Sequence, residues 1–250
     1  MELTMEENRF YHLENLELKH IVELAAQTHI HATKVLRLKV GNQFALFNGD
    51  GFDYVVKVIE ISKHKTTVEI INKYEVNHES PLKITLAQGL AAGDKMDWII
   101  QKAVELGVHS IQPLLTERSI IKLDRERADK KLEHWKTVAI SACEQTGRSA
   151  IPDILSPLHF NQWLSKETLK TDHLKLILTP SKAKNINDLD KPSGSIVFMV
   201  GPEGGLSEKE MALALNQSFI PVNFGQRILR TETASIVALS ILQNLWGDFA

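Results

Sequence analysis

The sequence contains a single cysteine among its 250 residues, and this scarcity excludes several kinds of structure. Cys143 cannot form a disulfide within the chain, and no zinc site built on several cysteines is available. Because proteins that depend on disulfides are mostly extracellular, we expect this protein to be cytoplasmic.

Long hydrophobic runs are also missing. The longest apolar stretches, such as 196–200 and 236–239, are far shorter than the roughly 20 residues that a transmembrane helix needs. The first twelve residues are acidic and lack an apolar segment, so we predict no signal peptide.

Metal-binding motifs are absent as well. The sequence has no HExxH pattern, and His29 and His31 stand two residues apart, which on a helix places them on different faces. We therefore predict that the protein uses no metal.

The charges nearly balance, with 29 Lys and Arg against 31 Asp and Glu and a formal net charge of −2. This balance argues weakly against nucleic-acid binding, although an average can hide a local patch. Basic residues outnumber acidic ones between Arg118 and Lys136. That segment is either a basic patch or a solvated helix face with paired charges, and the second reading is the simpler one.

The first 72 residues and the remainder differ in pattern. Strand-like runs at 44–47, 54–59 and 66–71 are separated by short turns, which predicts a small β-barrel domain over 1–72. Within it, 20–26 and 30–36 are predicted as short helical segments. A polar stretch, 72–81, is the candidate linker.

From Leu82 onward, strands and helices alternate. Residues 82–88, 108–115, 174–178 and 195–200 are strand-like, and the last two are apolar on both faces, as buried parallel strands are. The pattern predicts an α/β domain over 73–250.

The strand at 195–200 leads into a glycine-rich loop, Gly201–Gly205, and then into a helix with a Ser207–Glu210 capping box. Ligands of α/β sheets bind beyond the carboxyl ends of the strands, and glycines let a ligand approach the backbone. The loop matches neither a P-loop nor a dinucleotide motif, so a phosphate ligand is not indicated. A simple tight turn between strand and helix remains an equal alternative.

A second polar cluster lies in 223–234, where two arginines, a carboxylate and two threonines precede a helix. This density favours a site, although a capped helix start with a salt bridge is the alternative. A third candidate joins 105–119 with 143–148, but a polar helix end is the favoured explanation of it. Cys143 is predicted to be a core residue, since no nucleophile motif surrounds it.

The chain resembles the RsmE family of SPOUT methyltransferases in short motifs over nearly its whole length. They are FNGDG at 47–51, QKAVELGV at 101–108, TERS at 116–119, ACEQTGR at 142–148, GPEGG at 201–205 and ILRTETA at 228–234, together with His31 and VLR at 35–37. Any one of them is weak, but their order and spacing together are highly specific.

The resemblance implies an α/β SPOUT methyltransferase domain with a C-terminal trefoil knot, preceded by a PUA-like β-barrel that helps to hold RNA. It also implies a homodimer and S-adenosylmethionine as the cofactor. The cofactor loops follow three strands, and the implied contacts are Leu178, Thr179, Gly201, Pro202, Glu203, Gly205, Ile228, Leu229, Thr231 and Thr233.

The implied reaction is methylation at N3 of a uridine in 16S ribosomal RNA, in the decoding region of the small subunit. Arg230 could stabilise charge on a uracil carbonyl, and Glu232 could take the N3 proton or orient Arg230. A methyltransferase for another RNA and a non-catalytic RNA-binding assembly factor are the alternatives. The candidate phosphate contacts are Arg9, Arg37, Arg118 and Arg148.

Overall fold

The computed structural model describes residues 8–167, 172–180 and 183–249. The chain divides into two compact units. One runs to Glu79 and also includes Cys143–Ile151, and the other consists of Ser80–Ala142 and the residues from Pro152 onward. The first unit therefore extends beyond the predicted boundary at residue 72 and takes in a segment from much later in the chain.

In its described part, the first unit is built on a five-stranded sheet with the strand order β1-β3-β4-β5-β2. Its elements are β1 (Arg9–Tyr11), β2 (Ile21–Glu23), α1 (Ala26–Ile30), a π-helical turn at His31–Val35, β3 (Gln43–Phe47), β4 (Phe52–Ile61) and β5 (Thr66–Glu75). β1 runs parallel to β3, and the other neighbours are antiparallel.

The β3–β4 hairpin forms where the sequence predicts it. Gly49 and Gly51 adopt φ values of 95° and 89° in the connection, a region that favours glycine. The Asn48 side chain accepts a hydrogen bond from the Asp50 N–H at 3.2 Å. The side chains that point inward from β3, β4 and β5 form the core of the unit, and they include Phe44, Leu46, Val56, Val58, Val68 and Ile70.

One local prediction is wrong. The segment 20–26 was expected to be helical, but Ile21–Glu23 pairs antiparallel with β5 as an edge strand. The consecutive β-branched residues Ile21 and Val22 favour this extended conformation. Helical structure begins only at Ala26.

A buried ion pair holds the late segment within the first unit. Arg9 donates to both carboxylate oxygens of Asp53 at 2.7 Å, and its side chain is 11% exposed against 4% for Asp53. The same guanidinium donates to the Cys143 carbonyl at 3.0 Å and to the Ser149 hydroxyl at 2.7 Å. Residues distant in sequence thus share one charged centre, which a boundary drawn from local pattern does not detect.

We expect Asp53→Asn to lower the free energy of unfolding by about 3–5 kcal/mol, because it leaves the Arg9 guanidinium buried without its counter-ion. Urea unfolding followed by circular dichroism measures the change. Glu126→Gln is the matched control, since Glu126 pairs with Lys130 at 2.6 Å with both side chains over 70% exposed. That control should cost less than about 0.5 kcal/mol. Equal, small changes in the two variants would contradict the prediction.

The second unit contains a parallel sheet, which in the described residues has the order β11-β13-β10-β12-β6-β7-β8, with β9 also paired to β7. The strands are β6 (Ile84–Gly89), β7 (Ser110–Leu115), β8 (Asp153–Ile154), β9 (Leu158–His159), β10 (Leu174–Leu178), β11 (Lys184–Asn185), β12 (Ile196–Val200) and β13 (Ile220–Asn223). The predicted α/β fold with buried parallel strands is confirmed.

Helices alternate with these strands. They are α2 (Lys95–Glu105), α3 (Arg125–Thr146), α4 (Phe160–Glu167), α5 (Glu208–Asn216) and α6 (Thr231–Trp246), with a short 3₁₀ turn at Ile186–Asp188. All five residues of β12 are buried, as a strand covered on both faces requires. In the described residues, no helix combines the length and apolar character needed to cross a membrane.

The strand order places four carboxyl ends side by side. β12 lies between β10 and β6, and β13 lies on the far side of β10. Since all of these strands are parallel, the loops that follow them emerge at one edge of the sheet. That edge is where open α/β sheets bind their ligands.

Candidate active site

A cleft of about 1040 Å³ opens at this edge of the second unit. Three loops form most of its wall, one after each of the strands β10, β12 and β13. Residues from these loops that line it are Leu178, Thr179, Pro180, Gly201, Pro202, Glu203, Gly204, Gly205, Phe224, Gly225, Arg227, Ile228, Leu229, Arg230 and Thr231. The structure therefore brings together the two polar segments that the sequence singled out.

The loop after β12 is the glycine-rich turn. The Gly205 N–H donates to the Pro202 carbonyl at 2.8 Å, and Gly205 has a φ of 67°. Among the described residues, a Cβ built on Gly205 would have no atom within 4 Å apart from those of its chain neighbours, so this glycine faces open space in the cleft. The predicted capping box is confirmed, because Ser207 and Glu210 each accept a hydrogen bond from the other's backbone N–H.

Gly89, at the end of β6, packs directly against the glycine-rich turn. A Cβ at this position would lie 2.5 Å from Cδ of Pro202 and 2.9 Å from the carbonyl carbon of Gly201. Only glycine lets the two backbones approach so closely. β6 therefore contributes to the site through the absence of a side chain.

The loop after β13 ends at the first turn of α6. Arg230 is the residue before the helix, is exposed and lines the cleft, whereas Thr231 is buried. The Thr231 hydroxyl donates to the Gly201 carbonyl at 2.6 Å, which ties this loop to the glycine-rich turn. Ile228, in the same loop, is 87% exposed.

Two of the predicted catalytic and cofactor-binding residues lie outside the described lining of the cleft. Thr233 is exposed, and Glu232 is half-buried. In the described part of the chain, the buried oxygen Oε2 of Glu232 has no hydrogen-bond partner. A buried carboxylate oxygen without a donor is costly, so it marks a group with an unmet partner.

Lys95 is a component of the site that the sequence reasoning missed. Its ammonium lies 2.8 Å from Oε1 of Glu203, which also accepts the Ala92 N–H at 2.9 Å. The hydrogen bond to Glu203 raises the pKa of Lys95. The negative charge of Glu232 raises this pKa as well, whereas the positive charge of Arg230 lowers it. The position of Lys95, in the first helical turn beyond a parallel strand, was the available signal.

The same contacts change the expected role of Glu203. Burial tends to raise its pKa, but the hydrogen bonds from Lys95 and Ala92 outweigh that effect and lower it. The Glu203 carboxylate is thus ionised and held by α2 and its preceding loop. Direct contact between this carboxylate and a cofactor stays a prediction.

The four candidate phosphate contacts have different environments. Arg37 is exposed in the first unit, and Arg118 is exposed at the cleft, where it donates to the Gly204 carbonyl at 3.1 Å. Arg9 is held by Asp53, and Arg148 is 3% exposed and donates to Glu79 at 2.8 Å. To contact RNA, Arg9 would have to leave a buried carboxylate and Arg148 a half-buried one, so phosphate binding by either stays a prediction.

The remaining candidates have structural environments. Cys143 is fully buried, which confirms the prediction that it is a core residue. Burial raises the pKa of its thiol to about 12. The charges of α3 are largely paired locally, as in Lys130–Glu126 and Lys136–Glu133. The described residues contain no cluster of His, Cys, Asp and Glu that could hold a metal ion.

Comparison with known proteins gives two family matches. Residues 78–243 match the RNA methyltransferase domain, and residues 31–71 match the RNA methyltransferase PUA domain. Ribosomal RNA small subunit methyltransferase E of Buchnera aphidicola subsp. Acyrthosiphon pisum is 36% identical, over 96% of this chain and 94% of that protein. The Bacillus subtilis protein of the same name is 35% identical, over 85% of each chain.

Solved structures agree with these relatives. The crystal structure of ribosomal RNA small subunit methyltransferase E from Neisseria gonorrhoeae, bound to S-adenosyl methionine, is 41% identical with a TM-score of 0.90. It covers 98% of this chain and 100% of that one. A methyltransferase from Legionella pneumophila in complex with the same cofactor is 39% identical, with a TM-score of 0.92 and the same coverage. The resemblance seen in the sequence is confirmed, and the chain belongs to the family of ribosomal RNA small subunit methyltransferase E.

Proposed function

We propose that the protein transfers the methyl group of S-adenosylmethionine to N3 of a uridine in 16S ribosomal RNA, in the decoding region of the small subunit. The observation that carries the proposal is the three-loop cleft at the carboxyl ends of β10, β12 and β13. Relatives about 40% identical over the whole chain hold the same cofactor in their crystals. The choice of N3 rests on the family resemblance.

The cleft suits this cofactor in size and chemistry. Its volume of about 1040 Å³ is at the upper end of the range for small-molecule sites. The lining combines apolar groups, such as Leu178 and Leu229, with glycine backbone at Gly201 and Gly205. When bound, S-adenosylmethionine supplies a methyl group on a positively charged sulfur.

The protein's own task is to present an acceptor nitrogen without its proton. Uracil N3 is protonated at neutral pH, so a base must remove the proton or a cation must stabilise the anion. Arg230, exposed at the cleft, is placed to donate to a uracil carbonyl as negative charge develops there. Glu232 has a buried oxygen to which no described residue donates, and it is the candidate to accept the proton or to orient Arg230.

We also propose that the C-terminal segment forms a trefoil knot, as the SPOUT resemblance implies. The strand order, with β12 between β10 and β6, is compatible with this threading. Knots are rare among folds, so the proposal depends on the family and not on the local pattern.

A homodimer is the expected assembly. Along α6, the apolar side chains of Val237, Ile241 and Leu245 are spaced four residues apart, share one face and stay only half-buried. A second copy of the chain would cover this stripe, and such burial is the usual role of an uncovered apolar helix face. Light scattering should give twice the mass of the chain at micromolar concentration, and a fully active monomer would contradict the proposal.

The direct test of the activity uses small subunits from a strain that lacks this protein. Purified protein and S-adenosylmethionine with a labelled methyl group should convert one uridine of 16S ribosomal RNA to 3-methyluridine, located by mass mapping of nuclease fragments. Subunits from the parent strain are the control and should accept no label. Cofactor binding without transfer to any RNA would favour the non-catalytic assembly factor instead.

A further inference from the structure

A chain of buried hydrogen bonds connects β6 to the two loops that carry the proposed cofactor and catalytic residues. Gln88, the residue before Gly89, is fully buried. Its Nε2 donates to the Gly89 carbonyl at 2.8 Å and to the Thr231 hydroxyl at 3.0 Å. Its Oε1 accepts the Ser235 hydroxyl at 2.5 Å. Both N–H groups and the oxygen of this amide are therefore used.

The direction of these bonds follows from their partners. Because the Gly89 carbonyl can only accept, the NH₂ side of the Gln88 amide must face it, and the opposite orientation would place two oxygens together. The Thr231 hydroxyl accepts from Gln88 and donates its one hydrogen to the Gly201 carbonyl at 2.6 Å. Each donor has an acceptor, and the order runs from Ser235 through Gln88 and Thr231 to Gly201.

Two members of this hydrogen-bond chain, Gly201 and Thr231, lie at functionally different places. Gly201 opens the glycine-rich turn, where the cofactor is proposed to bind. Thr231 is the first residue of α6 and stands directly between Arg230 and Glu232. Fixing Thr231 against Gly201 thus fixes the distance between the proposed catalytic pair and the cofactor loop.

We propose that Gln88 is a positioning residue for methyl transfer, acting through Thr231 to hold the first turn of α6 in register with the glycine-rich loop. The inference rests on the proposed function for the identity of the reaction. Gln88 itself does not line the cleft in the described part of the structure. Its role is to restrict the movement of Thr231 and Arg230, which line the cleft.

The primary test compares Gln88→Met with Gln112→Met. Gln112, on the neighbouring strand β7, is 4% exposed, and its Nε2 likewise donates to two backbone carbonyls, those of Pro113 and Ser156. Both variants should lower the melting temperature. At saturating S-adenosylmethionine and RNA, only Gln88→Met should lose turnover, by up to about 100-fold, which is the effect of misplacing reacting groups by about 1 Å. Equal turnover in the two folded variants would overturn the proposal.

A second comparison keeps Gln88 in place. Thr231→Val removes the hydroxyl but preserves the shape of the side chain, whereas Thr231→Ser retains the hydroxyl. We expect Thr231→Ser to keep more turnover and tighter cofactor binding than Thr231→Val. Equal losses in the two would overturn the proposal, because Gln88 is proposed to act through this hydroxyl, and this outcome can be measured even if Gln88→Met does not fold.

A double variant at Gln88 and Thr231 tests this inference independently of which RNA the protein methylates. If Gln88 acts through Thr231, the double variant Gln88→Met/Thr231→Val should bind S-adenosylmethionine no more weakly than the worse single variant. Additive losses in calorimetric affinity would overturn the proposal. This measurement uses the cofactor alone, so it remains decisive even if methylation of 16S ribosomal RNA by the wild-type protein is not observed.

Discussion

Gly205→Val is expected to weaken binding of S-adenosylmethionine by roughly 10- to 100-fold. The Cβ position at Gly205 is open and faces the cleft, so the branched side chain of valine would occupy ligand space. Forcing extra methyl groups into a well-packed site costs about 1–3 kcal/mol. Each 1.4 kcal/mol changes an affinity about tenfold. Isothermal titration calorimetry with purified protein measures the effect.

Backbone strain is the competing explanation, because Gly205 has a φ of 67° and valine is unfavourable there. Gly41→Val is the matched control. Gly41 has a larger φ of 94°, also has open space around its Cβ, and belongs to the first unit. The control should lose stability and still bind the cofactor normally. If Gly205→Val binds as tightly as the wild-type protein, the ligand does not lie against this loop.

The features predictable from sequence are those that local pattern determines. The glycine-rich turn with the Ser207–Glu210 capping box forms as expected, because its signals lie within ten residues of one another. Strands such as β12 are recognisable because residues buried on both faces are uniformly apolar. Both elements depend on their own residues more than on distant partners.

Long-range partners decide the features that local pattern does not show. The sequence suggests that Arg9 and Arg148 are available to bind RNA, but in the structure they pair with Asp53 and Glu79 inside the first unit. Nothing near Arg9 in sequence indicates a carboxylate 44 positions away. The position of an arginine in the chain therefore says little about whether its charge is available.

Gln88, behind the cleft, is another residue whose partner the sequence does not indicate. A glutamine at the end of a strand carries no motif, and its partner Thr231 lies 143 residues further along the chain. The parallel pairing of β6 with β12 sets Gln88 opposite Val200, next to Gly201, and the Thr231 hydroxyl donates to the carbonyl of Gly201. By contrast, the segment containing Arg230 is polar and dense enough to be noticed from sequence, although the geometry around it is not.

Arg230→Ala is expected to slow methyl transfer by about 100- to 1000-fold, the usual effect of removing one donor that stabilises charge in the transition state. The side chain is exposed, so the melting temperature should change little. Affinity for S-adenosylmethionine should stay within a few-fold, since backbone and apolar groups make most of the cleft wall. Turnover, melting temperature and cofactor affinity are measured on one preparation.

The alternative is that Arg230 serves as the structural partner of Glu232. In that case, Arg230→Ala should lose thermal stability and cofactor binding together, because the first turn of α6 would loosen. In the described chain, Oε2 of Glu232 is buried without a donor, so Arg230 does not hold this oxygen. Arg227→Ala is the comparison variant, because Arg227 lines the same cleft on the same loop. A loss of turnover in Arg227→Ala as large as in Arg230→Ala would mean that the loop needs positive charge in general, and that Arg230 has no specific role.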